Sequence, residues 1–482
     1  MTTSTLLART RQVVGDAQAL AEGTRIAPMV AALAARIDEP LRVAIAGRVK
    51  AGKSTLLNAL VGQDLAATDA GECTRIVTWF RNGPAYRVLL FPNDGPPAQL
   101  PFPESGSLAS IDLAGHAPEV VSRMVVDWPS RRLQAMTLID TPGIGSINEE
   151  ISARSRVLLT PEGPRGSGAD AVVYLMRHMH TDDVDFLEAF HDTEGQGRPV
   201  NTIGVLARAD EVGHSRPDAL ESAARIADRY AADPRVRRLC HTVVPVAGLL
   251  ASCGATLLQS EYSVLVRLAA LPAEAREGLL LTTDRFISAE AGGVEPAARL
   301  ALVRRLGLFG VRSAVELIQA GEAADASALA VHLQRLSGIT TLHEMLTTRF
   351  AARADVLKAR TAIQALESLF VGSPPPPDLR RRFDELVAGA HELTELRLID
   401  ALREDPTLLP GDDGSAERLL GSYGDDPRTR LGLDATADVV KVRETALSTL
   451  ARWQREAEDP LATRPTATAA RILVRTCEGM LV

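Results

Sequence analysis

Apolar residues change their spacing along the chain. From residue 41 to about residue 246, short apolar runs alternate with helical stretches, whereas after about residue 253 apolar residues recur every three or four positions. A short continuous apolar run is typical of a strand buried on both faces, and the longer spacing is typical of an amphipathic helix. We therefore predict an α/β head with a mostly parallel sheet and an all-α bundle after it. The predicted strands are LRVAIAG, YRVLLF, MTLID, AVVYLM, TIGVLA and TVVPVA.

Helical periodicity also precedes the head. Residues 5–37 repeat apolar side chains on one helical face, and Pro40 ends this segment before the first strand. Residues 338–370 space their apolar side chains by four and three, which gives a helix on the order of 50 Å long if the whole segment is helical. A helix of that length needs partners for its apolar stripe. The predicted divisions are residues 1–40, helices that join the neck bundle; 41–255, the head; and 256–482, a helical neck and trunk.

The composition limits the function classes. The 482 residues are 46% apolar and carry a formal net charge of −8, so a large core is expected and a nucleic-acid-binding surface is not. The N-terminus lacks the order of segments found in signal peptides, and no run reaches the roughly 18 apolar residues of a membrane span. We expect a cytoplasmic protein that binds no nucleic acid and contacts membranes only peripherally. The cysteines Cys73, Cys240, Cys253 and Cys477 stand singly and are predicted to be reduced thiols.

A phosphate-binding loop follows the first strand. Residues 47–54, GRVKAGKS, fit the pattern GxxxxGK[ST] between a strand and a helix. Such a loop turns backbone N–H groups toward phosphate oxygens, its lysine reaches the terminal phosphates, and its serine hydroxyl completes a Mg²⁺ shell. A glycine-rich loop without a ligand is the alternative, and it requires neither the strand nor the helix. The predicted contacts in the loop are Gly47, Ala51, Gly52, Lys53, Ser54 and Thr55.

A second motif supplies the metal side of the same site. The sequence MTLIDTPGIGS presents Asp140 at the end of an apolar strand, where its carboxylate can hold a magnesium-bound water. In GTPases the sequence DTPG brings the amide of its glycine, here Gly143, to the γ-phosphate. Between the two motifs, Thr74 in GECTRIVT can close a loop onto Mg²⁺. The predicted metal ligands are Ser54, Thr74 and Asp140, although ATPases also end this strand with an aspartate.

Recognition of the base depends on the residues after the strand TIGVLA. Asp210 can accept hydrogen bonds from N1 and N2 of guanine, which adenine cannot match, and the stem of Arg208 can cover the base. Ala207 stands where GTPases usually carry a polar residue, so a solvated aspartate at the strand end is the alternative. Ala247, after the last strand, is predicted to offer its backbone N–H to the guanine oxygen. An ATPase of the same fold is a further alternative, which Asp210 discriminates.

These segments resemble a known family. GRVKAGKSTLLNALVG, ECTRIVT, DTPGIGS and LARADEVG look like the motifs of bacterial dynamin-like GTPases. RLGLFGVR and SGITTLHEMLTTRF are similar to stalk regions of the actinobacterial members, including the isoniazid-inducible dynamin-like proteins of mycobacteria. The resemblance implies a head that takes GTP and Mg²⁺, a neck and trunk that use the N-terminal helices, and a trunk tip that touches lipid. It also implies membrane remodelling at the inner face of the cell membrane by a self-associating protein, with a related dynamin-like protein as a further partner.

Three residues depart from the pattern of that family. Val49 and Lys50 stand where dynamins usually carry Gln and Ser, and Ile144 follows DTPG where small GTPases use a glutamine. Val49 cannot orient water by hydrogen bonding, so we predict slow basal hydrolysis that assembly stimulates. Our hypothesis is that Lys50 supplies positive charge near the β- and γ-phosphates, and a solvent-facing lysine is the alternative. The predicted catalytic residues are Lys53, Lys50, Thr74 and Gly143.

One turn in the bundle is a candidate membrane tip. Apolar residues precede four prolines and are followed by three arginines, a composition that suits shallow insertion among anionic headgroups. An ordinary turn between helices with a buried phenylalanine is the alternative. The segment RRLGLFGVR, residues 304–312, is a second candidate, whose Gly-Leu-Phe-Gly core can equally be a hinge. The predicted membrane residues, within 369–382, are Leu369, Phe370, Val371, Arg380, Arg381 and Arg382.

Two function classes share the same nucleotide pocket. The first is a GTPase whose head closes on GTP, self-associates and moves a helical lever attached to a membrane. The second is a soluble nucleotide-regulated switch or scaffold whose bundle binds proteins instead of lipid. Because the pocket is common to both, only the behaviour of the second half of the chain, above all its binding to anionic liposomes, discriminates between them.

Overall fold

A mixed sheet with helices on both faces forms the first half of the molecule. The computed structural model describes residues 5–66, 76–103, 106–108, 111–142, 169–177, 201–288 and 293–481. Within these ranges the sheet has nine strands in the order β4-β3-β5-β2-β6-β1-β7-β8-β9. The strands are β1 Leu41–Gly47, β2 Thr78–Asn82, β3 Arg87–Pro92, β4 Ala98–Leu100, β5 Val121–Trp128, β6 Met136–Asp140, β7 Ala171–Met176, β8 Thr202–Ala207 and β9 Val243–Val246.

The centre of the sheet is parallel and one side is antiparallel. β1 pairs in parallel with β6 and β7, β7 with β8, and β8 with β9. β2 runs antiparallel to β6, and β3 runs antiparallel to β4 and β5. The predicted mostly parallel sheet is confirmed. The strands β2, β4 and β5 were not predicted from the apolar runs. Of these, β4 has only three residues, and β2 ends on exposed polar side chains.

Helices cover both faces of the sheet and continue as a bundle. The N-terminal helices are α1 Leu6–Ala21 and α2 Ala27–Ile37, and those among the strands are α3 Lys53–Val61, α4 Ala219–Ala232 and α5 Pro234–Arg237. After β9 come α6 Gly248–Thr256, α7 Gln259–Ala269, α8 Ala273–Leu279, α9 Thr283–Ser288, α10 Pro296–Gln319, α11 Ala326–Leu336 and α12 Ile339–Met345. The remaining helices are α13 Ala354–Gly372, α14 Pro377–Gly389, α15 His391–Glu404, α16 Ser415–Leu419, α17 Pro427–Leu431, α18 Val439–Glu458 and α19 Arg464–Leu481.

Three apolar cores organise these elements. The first joins one face of the sheet to α4, α6, α7, α10 and α11, and the second joins the other face to α3 and α12. The third lies outside the sheet and joins α1 and α2 to the helices from α13 to α19. The N-terminal helices therefore pack with the C-terminal bundle, while α7, α10 and α11 pack on the head.

Residues 338–370 do not form a single helix. A π-helical turn, Leu346–Ala351, follows α12, and α13 begins after a break at Arg353, whose φ and ψ are −103° and 12°. Leu342 before the break belongs to the second core, and Leu366 after it belongs to the third. The evenly spaced apolar residues of this segment thus pack in two different cores. The predicted single helix, on the order of 50 Å long, is not formed.

A buried carboxylate joins the head to the bundle at the start of β7. Arg36 of α2 forms an ion pair of 2.6 Å with Asp170, whose side chain is fully buried. The backbone N–H of Arg42 donates to the same carboxylate at 2.8 Å, and the hydroxyl of Thr361 donates to it at 3.1 Å. Three separate segments of the chain therefore converge on one charge.

Within the described residues, no single helix has the length and apolar character needed to cross a membrane, although the bent pair α6–α7 meets that test on length and composition.

Candidate nucleotide site

The loop between β1 and α3 adopts a conformation that its glycines make possible. Gly47 has a φ of +146°, and a Cβ atom there would lie 2.5 Å from the backbone oxygen of Leu175 in β7. Gly52, which precedes α3, has a φ of +101°, and Lys50 has a φ of +63° although it carries a side chain. Left-handed residues in such a loop turn backbone N–H groups toward its centre.

Lys53 lies inside this loop. Its Nζ donates to the backbone oxygens of Gly47 and Arg48, at 3.1 Å in each case. Burial lowers the pKa of Lys53, and the nearby charge of Asp140 opposes that effect. The ammonium group is thus held by two carbonyl oxygens of the loop, and phosphate oxygens can replace these acceptors.

Asp140 and Ser54 face each other across β6 and α3. The Ser54 hydroxyl donates to Oδ2 of Asp140 at 3.3 Å, while Oδ1 of Asp140 is shielded from solvent and accepts no hydrogen bond from the described residues. Burial raises the pKa of Asp140 to about 6, against the charge of Lys53 and the hydrogen bond of Ser54. A carboxylate oxygen and a hydroxyl are the ligands that Mg²⁺ prefers, so these two residues fit that ion.

The base side of the site is formed by three loops. One pocket is lined by the phosphate-binding loop, by Arg208 and Asp210 after β8, and by Gly248 and Leu249 at the start of α6. Arg208 donates to the backbone oxygen of Lys50 at 3.2 Å, which ties two of these loops together. The lining residues are Ala51, Gly52, Thr55, Leu56, Leu175, Val205, Ala207, Arg208, Asp210, Glu211, Val246, Gly248 and Leu249.

Asp210 is a buried carboxylate in this pocket. The residue is 4% exposed and forms no ion pair within the described part of the chain. Burial raises its pKa to about 6, although its own backbone N–H and Arg208 favour the ionised form. A buried acceptor of this kind can take two N–H donors from a ligand.

The structure corrects the prediction for Ala247. Its backbone N–H donates to the oxygen of Ser337 at 2.9 Å, and the residue is fully buried. Gly248 follows as the first residue of α6 and lines the pocket. Because the first N–H groups of a helix have no acceptor within the helix, the N–H of Gly248 is available to a ligand in the pocket, whereas that of Ala247 is not.

The catalytic roles at five positions of the sequence analysis remain predictions. Thr74, Gly143 and Ile144 lie outside the described residues. Val49 and Lys50 are both exposed on the phosphate-binding loop, with Val49 47% exposed. The hypothesis for Lys50 and its solvent-facing alternative are both compatible with this position.

A helix of the neck contacts the pocket, which the sequence analysis did not predict. α10 is kinked at Gly307, where φ is 69° and ψ is 169°. A Cβ atom at Gly307 would lie 3.4 Å from Oδ2 of Asp210 and 3.8 Å from Cδ1 of Leu249. Leu306 and Phe309 beside the kink are buried, so residues 304–312 are not a membrane tip and the hinge alternative is favoured.

A second contact lies two residues before the kink. Arg305 forms ion pairs with Asp64 at 3.0 Å and with Glu261 at 2.9 Å, and it donates to the backbone oxygen of Thr256 at 3.0 Å. Asp64 also accepts from the hydroxyl of Ser252 at 2.8 Å. Arg305 thus links α10 to the segment that follows α3, directly before the residues around Thr74.

The predicted membrane residues lie in two different environments. Phe370 is 6% exposed and packs edge-on against Phe383 at 5.3 Å between ring centroids, so its prediction as a membrane residue is wrong and the interhelix turn is observed. Leu369 is partly buried in the same core, whereas Val371 is 83% exposed. The three arginines are each paired with a carboxylate: Arg380 with Asp384, Arg381 with Glu385, and Arg382 with Asp16.

Comparisons with known proteins agree with this site. Residues 42–203 match the family model described as 50S ribosome-binding GTPase. The chain is 38% identical to isoniazid-induced protein IniC of Mycobacterium tuberculosis over 456 residues, which cover 93% of this chain and 91% of that protein. It is 28% identical over 47% of its length to isoniazid-induced protein IniA of the same species, covering 34% of that protein. A bacterial dynamin-like protein of Nostoc punctiforme is 36% identical over 114 residues, 21% of this chain and 16% of that protein. With a GTPase fold, a phosphate-binding loop and near full-length similarity to IniC, the chain belongs to the bacterial dynamin-like GTPases of the isoniazid-induced type.

Proposed function

We propose that this protein binds and hydrolyses GTP with Mg²⁺ and couples the nucleotide to self-association and to membrane binding or remodelling. The observation that carries this proposal is the contact between the base pocket and the neck, where Gly307 of α10 lies against Asp210. Because Gly307 lies beside two residues that line the pocket, Asp210 and Leu249, a shift of either residue on nucleotide binding can reach α10.

Asp210 supports the choice of GTP over ATP. Its buried carboxylate accepts from N1 and N2 of guanine, and adenine offers no such pair of donors. The Arg208 side chain covers the base, and the N–H of Gly248 at the start of α6 meets the guanine oxygen. Because the pKa of Asp210 is about 6, most of the carboxylate is ionised at neutral pH.

The polyphosphate occupies the loop before α3. Lys53 gives up the two backbone oxygens that it contacts, Gly47 and Arg48, and binds the terminal phosphates instead. Ser54 and Asp140 hold Mg²⁺, with Thr74 as the predicted further ligand, and the bound ion neutralises charge on the phosphate oxygens. The amide of Gly52 completes the cradle, and that of Ala51 joins it by giving up its present acceptor, the backbone oxygen of Arg48 at 3.2 Å. The helix α3 contributes its positive N-terminal end.

We expect hydrolysis to be slow in the isolated protein. Val49 has no group that orients a water molecule, so the attacking water depends on the backbone of Gly143 and on groups supplied by a second copy. Lys50, exposed at the rim of the loop, provides positive charge near the β- and γ-phosphates when two heads meet. Turnover per molecule therefore rises with protein concentration.

The bundle carries the membrane contact at the turn between α13 and α14. Val371 supplies exposed apolar surface there, and Arg380, Arg381 and Arg382 exchange their carboxylate partners for anionic headgroups. The association is peripheral, at the inner face of the cell membrane. A related dynamin-like protein is a further partner in this proposal.

A soluble scaffold is the second candidate, and the arginine pairs favour it. Each of the three arginines already has a carboxylate within 3.0 Å, which leaves less net positive charge at the turn than the sequence suggests. Val371→Asp discriminates between the two candidates when sedimentation with anionic liposomes is measured. We expect it to remove most binding, whereas the control Val331→Asp, at a valine of α11 that is 55% exposed, leaves binding unchanged. Equal sedimentation of both variants and the native chain, or no sedimentation at all, would favour the scaffold.

Nucleotide turnover tests the whole proposal. GTP and ATP are compared with Mg²⁺ over a range of protein concentrations, with and without anionic liposomes, and Lys53→Ala serves as the inactive control. We expect GTP-selective turnover that rises with protein concentration and again with liposomes. Tight GTP binding without turnover under all conditions would leave a switch or scaffold, and a preference for ATP would overturn the role of Asp210.

A further inference from the structure

The turn between α11 and α12 packs against the edge of the sheet beside the base pocket. Among the described residues, β9 is the outermost strand on that side, and Ala247 follows it directly. An edge strand leaves backbone groups without partners in the sheet. Here the N–H of Ala247 donates to the backbone oxygen of Ser337 at 2.9 Å, and both residues are buried. The turn thus supplies an acceptor that the sheet does not provide.

Gly338 allows this close approach. It has a φ of 76° and a ψ of −1°, a left-handed conformation that glycine adopts without strain. A Cβ atom at this position would overlap the backbone oxygen of Pro245 in β9. Any side chain at Gly338 would therefore push the turn and the end of β9 apart.

The two helices that the turn joins set its position. The Ser337 hydroxyl donates to the backbone oxygen of Gln334 in α11 at 2.6 Å and accepts from the backbone N–H of Ile339 in α12 at 3.2 Å. Ile339 and Leu342 belong to the second core, as does Val246 at the end of β9. The turn is therefore anchored twice, by hydrogen bonds to its own helices and by apolar packing on the head.

Gly248 lies between this turn and the phosphate-binding loop. It is the first residue of α6, it lines the base pocket, and its N–H has no acceptor within the helix. On its other side, a Cβ atom at Gly248 would lie 3.2 Å from Cγ2 of Thr55, near the start of α3. Because Ser337 holds the N–H of Ala247, a shift of the turn would displace the N–H of Gly248, one peptide unit further along.

We infer that the turn at Ser337 and Gly338 determines the selectivity of the nucleotide site for an oxygen on C6 of the purine. This inference rests on the proposed GTP site and adds residues from the helical part of the chain to it. Neither residue lines the base pocket, so both are positioning residues that act through the N–H of Gly248. Asp210 binds N1 and N2 of the same base and lies in a different loop. Since a hydrogen bond weakens steeply when its geometry is disturbed, a change in the turn should alter selectivity at C6 and leave selectivity at C2 intact.

Equilibrium binding of nucleoside diphosphates to the full-length protein tests this inference, since diphosphates avoid turnover. The probes are GDP, ADP, inosine diphosphate, which lacks the amino group on C2, and 6-thioguanosine diphosphate, which carries sulfur in place of the oxygen on C6. We expect the native protein to prefer GDP over the thio analogue by about tenfold. Gly338→Ala should reduce this preference below about twofold and keep the native preference for GDP over inosine diphosphate. Gly321→Ala, at a φ of 74° with no described atom within 4 Å of the new Cβ atom, is the matched control and should keep both preferences.

A second measurement does not depend on the folding of the Gly338 variant. In the native protein, saturating GDP should slow amide hydrogen exchange over residues 337–345 more than saturating 6-thioguanosine diphosphate does, because coupling between the base and the turn is reciprocal. A parallel fall in affinity for all the nucleotides, an unchanged preference over the thio analogue in the folded variant, or equal protection by the two nucleotides would overturn the inference. A native protein that binds ADP as tightly as GDP would contradict the proposed GTP site as well.

Discussion

Two buried aspartates at opposite ends of the sheet are held in very different ways. Asp170, at the start of β7, is 1% exposed and is surrounded by Arg36, the backbone N–H of Arg42 and the hydroxyl of Thr361. Asp210, after β8, is 4% exposed and forms no ion pair among the described residues. Both carry a carboxylate out of water, but only the first has a full set of partners in the chain.

The difference distinguishes an aspartate that holds the fold together from one that can bind a ligand. A buried carboxylate with cationic and hydrogen-bonding partners can be ionised at little cost, whereas one without them has a raised pKa and lowers stability in the ionised form. Asp140, with one oxygen lacking a donor, resembles Asp210 in this respect. The aspartates at the carboxyl ends of the strands therefore have acceptor oxygens that no described residue satisfies.

The largest expected effect comes from removing the charge of the paired aspartate. Asp170→Asn leaves Arg36 buried without its counter-charge and should lower the free energy of unfolding by about 3 kcal/mol or more. Urea denaturation with and without nucleotide measures this loss. We expect GTP affinity of the folded protein to remain unchanged, since Asp170 lies at the far end of the strands.

The matched control for that change is a surface pair. Asp38→Asn removes the partner of Arg11, in an ion pair of 2.7 Å whose side chains are 51% and 66% exposed, and should cost less than about 1 kcal/mol. Equal losses in the two variants would contradict the structural role of Asp170.

The next effect concerns the unpaired aspartate. Asp210→Asn should weaken GTP binding about 30-fold, since an amide presents an N–H donor to one of the guanine donors. It should improve binding of xanthosine triphosphate, whose oxygen can accept that donor, and leave the stability of the nucleotide-free protein unchanged or higher. Equilibrium binding of fluorescent nucleotides measures each affinity. Asp228→Asn, at an exposed aspartate of α4 that does not line the pocket, serves as the control. A parallel fall in GTP and ATP affinity would refute base recognition by Asp210.

The raised pKa values predict opposite responses of stability and binding to pH. The pKa values of Asp140 and Asp210 are both about 6, above the usual value of 3.8. Protonation of each group therefore stabilises the folded, nucleotide-free protein by about 1 kcal/mol as pH falls from 7 to 5. This contribution is lost as pH rises through 6. GTP affinity should fall about tenfold over the same interval for each group, because the ligand needs the ionised carboxylate. Asp210→Asn should flatten part of the binding profile, and an unchanged profile in that variant would contradict the assignment.

The phosphate side of the site could be predicted from sequence, and the reason is local. Gly47, Gly52 and Lys53 act through backbone geometry within a few residues, and Asp140 joins them because β1 and β6 are neighbours in a parallel sheet. The prediction for Ala247 could not anticipate that its N–H donates to Ser337, because this tertiary hydrogen bond joins distant parts of the chain.

The bundle could be predicted only in outline. A phenylalanine before a turn and arginines after it suit a membrane tip and an interhelix core equally, and the packing of Phe370 on Phe383 decides against insertion of that residue. The apolar side chains change from the second core to the third between Leu357 and Ala359, shortly after the break at Arg353, and the apolar spacing in the sequence gives no sign of this change. The contact between Gly307 and Asp210 joins distant parts of the chain and has no local signal.

The smallest effect tests whether the kink of α10 is coupled to Asp210. Gly307→Ala and Gly321→Ala both add a methyl group at a positive φ, 69° and 74°, and both should lower stability. The loss should be larger at Gly307, because its ψ of 169° lies in a region that is essentially restricted to glycine. Only at Gly307 does the new Cβ atom meet Asp210, at 3.4 Å, whereas no atom lies within 4 Å of it at Gly321. We therefore expect Gly307→Ala alone to weaken GTP binding, by about fivefold, because its methyl group fills the space beside the carboxylate and restrains its movement. If both folded variants bind GTP as well as the native protein does, the kink of α10 is a structural bend that is not coupled to the nucleotide.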